Sequence, residues 1–165
     1  MSGRSWILAV ILLLSLSIGD RASARIRQLW TEQQMADKSD LIVLAKVVEV
    51  RDTGVATTIP NIARGNVPTA AVEMEATFEV SAVLKGTHEK PRLVFVYLRE
   101  EKREVASRGE PELVAFDTGE KKQYLLFLKR GEDGRYSAVV GQTDPADAVR
   151  EVGWPVTVEV KSGDK

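Results

Sequence analysis

The clearest pattern in this chain is an alternation of period two over residues 70–84. There Val72, Met74, Ala76, Phe78, Val80 and Ala82 alternate with Glu73, Glu75, Thr77, Glu79 and Ser81. Such alternation predicts a strand with one face in the core and one in water. A second run, 41–50, is apolar at every position in its first half and begins to alternate in its second, which suits a strand buried on both faces at one end. Residues 92–98 and 123–129 are two-faced apolar runs of strand length. The turn residues Gly131-Glu132-Asp133-Gly134 separate the latter from 136–140, so 123–140 reads as a hairpin.

Two stretches have helical character. Ile26, Leu29, Trp30, Met35 and Ala36 fall near helical spacing, and Thr31 with Gln34 three residues on forms a capping box, predicting a short helix over 32–38. Asp144-Pro145 places an acid at the N-cap and proline at the first helical position, predicting a second short helix over 144–152. Residues 52–69 carry Gly54, Pro60, Gly65 and Pro68 with Thr and Asn, which is loop composition, and long loops are functional or disordered. Residues 99–122 read as a charged, solvated connection in which the island Leu113-Val114-Ala115-Phe116 is a short strand or a loop anchor. Residues 155–160 alternate weakly as an edge strand, and 161–165 read as a disordered tail. The expected fold is mainly β: a five-stranded, OB-like Greek-key barrel with a short N-terminal and a short C-terminal helix.

The first 24 residues change the picture of where this domain works. A short n-region containing Arg4 precedes an apolar run from Trp6 to Ile18, and Ala22-Ser23-Ala24 places small residues at the −3 and −1 positions of a signal-peptidase site. The run is too short for the roughly 20 apolar residues that span a bilayer core. Cleavage between Ala24 and Arg25 is the expectation, leaving one domain over 25–160 with no membrane span. The run holds no Cys, which excludes a lipid-anchored lipoprotein.

Arg4, Arg21 and Asp20 leave with the leader, so the 23 basic and 24 acidic residues of the whole chain become 21 and 23, a formal charge near −2. That balance argues against nucleic acid as a partner, since phosphate backbones draw clustered Lys and Arg. The chain has no cysteine, so thiol chemistry and disulfides are absent and stability must come from burial, which this length allows. An exported, cysteine-free domain leans towards a bacterial periplasm or exterior.

Residues 33–46, from Gln33-Gln34-Met35-Ala36-Asp37-Lys38 into Ser39-Asp40-Leu41-Ile42-Val43-Leu44-Ala45-Lys46, resemble the N-terminal segment of tissue inhibitors of metalloproteinases. In that family a short helix runs into an aspartate-led apolar strand ending in Ala-Lys. Phe78-Glu79-Val80 through Val83-Leu84-Lys85-Gly86 is similar to a later strand of the family, and Tyr124-Leu125-Leu126-Phe127 to the core strand that follows. The resemblance spans about 33–140 and implies a netrin-like OB fold. It also implies that the segment between the first two strands lies against a partner. The family's inhibitory mechanism needs an N-terminal cysteine on the target's zinc, and this chain has none.

Candidate chemistry is sparse. His88 is the sole histidine, which rules out a zinc site of several imidazoles and leaves one residue for any nucleophile–base pair. Glu73, Glu75 and Glu79 share one side of a strand and offer carboxylates for hydrolysis, although alternation with an apolar set makes them a solvent face. No EF-hand spacing, phosphate cradle or nucleophile elbow is present. Tyr97, Trp30 and Trp154 fall on separate elements, as core and rim residues do. Val55, Ile59, Pro60, Ile62 and Val67 put apolar side chains on a proline-stiffened segment, which either contacts a partner or folds back on the barrel. The expected function is an exported, non-enzymatic protein-binding module without cofactor or metal. The alternatives are an envelope hydrolase using carboxylates or His88, and a structural or assembly subunit.

Overall fold

The computed structural model of the chain describes residues 29–64, 67–102, 111–119 and 122–152. The leader with Ala24 and Arg25, Trp154, and the readings of 155–160 and 161–165 lie outside the described residues.

The first element among the described residues is helix α1, Glu32–Lys38, where Thr31 and Gln34 satisfy each other's backbone N–H groups in the expected capping box. Its last carbonyls would be orphans. Lys85 donates to the carbonyls of Ala36 and Asp37 at 2.5 and 3.1 Å, and Ser39 Oγ donates to Met35 at 2.7 Å. Met35 is the helix's buried side chain and packs into the main core.

Six strands follow. β1 (Leu41–Arg64) pairs antiparallel with β2 (Val67–Lys85), which pairs antiparallel with β3 (Arg92–Glu100). β4 (Gln123–Arg130) returns to lie antiparallel to the first residues of β1, from Leu41↔Leu128 to Lys46↔Gln123. On its other edge β4 carries β5 (Tyr136–Ala138) and then β6 (Val149–Val152). A single parallel bridge, Phe95↔Tyr136, joins β5 to β3. The order β1-β2-β3-β5-β4 therefore leads back to β1 and makes a partly closed ring.

The ring's interior is filled by the alternating apolar sets. Val43, Ala45, Phe78, Phe95, Leu126 and Leu128 are essentially inaccessible to solvent. Phe116, from the island of the long connection, inserts among Phe78, Phe95, Tyr97 and Tyr124 with centroid separations of 5.1–5.8 Å and near-perpendicular rings. Each such pair stabilises by about 0.5–1.5 kcal/mol beyond its buried area. The island is a loop anchor.

Three expectations are corrected. Within the segment read as a loop, 52–64 belong to β1 and 67–69 to β2, and the two strands stay paired out to Arg64↔Val67. The second helix shrinks to a 3-10 turn, Pro145–Ala148, after which β6 takes over. Four residues cannot gain from helix cooperativity, and the β-branched Val149 and Val152 instead pair with Leu126 and Gln123 of β4. That pairing makes the sheet six-stranded and not five-stranded.

Candidate functional site

The β1–β2 arm projects beyond β4, and three irregularities shape it, the first where Val48 is skipped in the ladder to β2. Thr53, Gly54 and Val55 stand opposite the single residue Glu73, with Gly54 at φ +74°. Asp52 Oδ1 accepts from Gly54 N at 2.8 Å, while Thr53 Oγ1 donates to the Glu73 carbonyl at 2.8 Å. Further out, Ile59, Pro60, Asn61 and Ile62 stand opposite Thr69, with Asn61 at φ +59°. Extra residues on one strand bend it and increase its twist.

The outer bulge divides the five singled-out residues. Ile59 is 1% exposed and forms a small second core with Ala71 and Leu98, against which Ile62 and Leu113 pack. Thr143 Oγ1 donates to the Pro60 carbonyl at 3.0 Å, tying the tip to the segment before β6. Val55 and Val67 remain outside, 51% and 68% exposed, and Pro60 is exposed as well. So Ile59 folds back on the sheet while Val55 and Val67 face solvent.

Beside the tip the ring splays open. After the Phe95↔Tyr136 bridge, Gln142 Nε2 donates to the Val96 carbonyl at 2.9 Å in place of a strand. Glu112 N donates to Asp144 Oδ1 at 3.0 Å, holding 111–115 against this excursion. A cleft of about 550 Å³ lies between residues 98–101 and 111–115, with Leu98, Pro111, Leu113 and Val114 among its apolar lining. A smaller one, about 340 Å³, lies between 67–70 and 100–102. Both use Glu100 and Glu101, and Thr69, 8% exposed and with its hydroxyl oxygen lacking a hydrogen-bond partner, lines the smaller. Volumes of this order hold small ligands or short peptide segments.

The candidate catalytic carboxylates are differently engaged. Arg135, just ahead of β5, spans β3 to reach Glu73 and Glu75 at 2.8 Å each, and Asp133 at 2.6 Å. Arg51 grips Glu75 from β1. The Arg51 hydrogen bond, followed by that from Arg135, holds the Glu75 carboxyl below the usual carboxylate range, against the opposing effect of its burial. Glu79 is exposed. His88 is half-buried between β3 and β5, with Nε2 3.2 Å from the Arg92 carbonyl and Nδ1 3.3 Å from the Tyr136 hydroxyl. A carbonyl can only accept, so Nε2 is the donor to Arg92. Tyr97 is buried in the aromatic core, and Lys38 sits over the half-buried Trp30 ring at 5.5 Å.

Among the described residues, no group of three or more His, Asp or Glu is placed to hold a metal ion, and no helix is long and apolar enough to cross a membrane. Sequence reasoning missed Arg135 and Gln142, whose partners on β2 and β3 are dozens of residues away and leave no local signal. No protein-family model matches the chain, and no curated protein matches it.

Proposed function

We propose that this protein is an exported, non-enzymatic binding module of OB-like, netrin-like build that contacts a partner protein through the tip of the β1–β2 arm. The observation that carries the reading is the split of the tip's apolar residues. Ile59 anchors the outer bulge, Val67 presents its side chain to solvent on the lining of the smaller cleft, and Val55 does so from the inner bulge further down the arm. Exposed apolar groups on an ordered support are a recognition surface at low conformational cost. For the barrel, support comes from a mainly β fold whose strand order leads back to β1 as a partly closed ring. For export, support comes from the leader pattern, with the working chain starting at Arg25 and acting in a bacterial periplasm or outside the cell.

A hydrolase is the weaker reading. A general acid needs a carboxyl whose pKa is raised towards the working pH, and Glu75 is shifted the opposite way.

The test is capture from envelope extract with the chain from Arg25 as bait, beside a Val55→Ser/Val67→Ser double variant. That variant keeps Ile59 and hence the arm's anchor. A protein recovered by the wild type and lost by the double variant is the expected result. Equal recovery by both rejects the tip as the contact surface.

A further inference from the structure

β2 lines one edge of β1 along its length, but β4 lines the other only from Leu41 to Lys46. From Val47 to Thr58 that second edge has no strand partner among the described residues. The stretch is not slack, because the ring holds it at one end and the buried Ile59 at the other. Exposed strand edges offer rows of backbone N–H and C=O groups on which another strand can build. Val48, Glu49, Arg51 and Asp52 are all exposed along it.

We propose that this edge is a self-association surface, pairing antiparallel with the same edge of a second copy about a two-fold axis through Val50. The sequence is self-complementary only in that register. Glu49 of each chain then lies opposite Arg51 of the other, Val50 opposite Val50, and Val48 opposite Asp52. Moving the axis by one residue sets Glu49 against Glu49 or Arg51 against Arg51, and like charges directly opposite repel.

The bulges limit the pairing on both sides. Val48 is skipped in the ladder to β2, and residues 53–55 loop out against Glu73, leaving 49–52 as the regular stretch. Bulges twist an edge away from further pairing. Each copy has used this edge once the two have met, so the assembly closes as a dimer instead of growing. An interface this short is weak, forming in the micromolar range and above.

Sedimentation and light scattering of the chain from Arg25, between about 1 and about 500 μM, read it directly, because an affinity in this range shows as a mass that rises with concentration. A mass rising from one chain to two is expected. Glu49→Arg should weaken association at least tenfold without touching the Arg51–Glu75 pair. Arg51→Glu should do the same, with circular dichroism confirming that it folds. Mixing the two variants should restore a dimer, because each substituted side chain then meets its opposite charge. A constant single-chain mass across the range overturns the proposal. So does a dimer that Glu49→Arg leaves unchanged, or a mixture of the two variants that stays monomeric.

Discussion

Arg135 does the work of several residues at once, joining Glu73 and Glu75 on β2 to Asp133 in the turn before β5. Each exposed ion pair alone is worth little, but this guanidinium is only 35% exposed and Glu75 only 13%. Arg135→Met should therefore cost about 1–2 kcal/mol at neutral pH, measured by urea unfolding. The pH dependence follows from the direction of the Glu75 shift. Its folded pKa lies below that of a free glutamate, about 4.3, so the folded state binds this proton less readily than the unfolded one. The stabilisation is complete above that pH and is lost as pH falls through the depressed folded value. Asp40, lowered by its hydrogen bonds from Lys129 and Arg130, adds to the same acid limb. Stability should accordingly decline below about pH 4.3, and Arg135→Met should flatten the Glu75 part of that decline. The reach of Arg135 to β2 could not be read locally. The alternation in 70–84 announced a solvent face for Glu73 and Glu75, and it was an arginine some 60 residues away that gave the face its structure.

At the scale of elements, legibility followed distance along the chain. The capping box of α1 involves residues three apart and is found where the sequence places it. The hairpin from β4 to β5 turns at Gly131 and Gly134, with Gly134 at φ +81° as its turn requires. The arm was harder to read, because Gly54, Pro60 and Asn61 are residues that loops and bulges share. What makes them bulges here is the continuous partner strand, with Val72 opposite Ala56 and Pro68 opposite Ala63. The division between anchoring Ile59 and exposed Val55 was equally hidden, since it depends on Ala71 and Leu98 meeting Ile59 in space. Ile59→Ala should cost about 2–4 kcal/mol, the scale of a large-to-small change at a fully buried site. Val55→Ala should stay within about 0.5 kcal/mol, because it leaves an exposed position. Parallel melts of the two variants check the contrast, and similar losses in both would contradict the division.

For the whole molecule, the alternating strands made a mainly β fold legible, while the path of the chain around the ring was not. That path rests on pairings such as Leu41 with Leu128, far apart in sequence and between residue types that any core strand contains. The ring is also unevenly fastened. β1 and β4 share six paired positions, whereas β3 and β5 share only Phe95 with Tyr136, helped by the Gln142 side chain and the Phe116 plug. Mechanically the domain is a rolled sheet with a seam, and a seam held at one rung should unzip before the sheet itself unravels. Hydrogen exchange should record this as faster amide turnover at Tyr136 and Ala138 than at Val43 and Leu126. Equal protection on both sides would mean that the roll is as tight at its seam as along its weave.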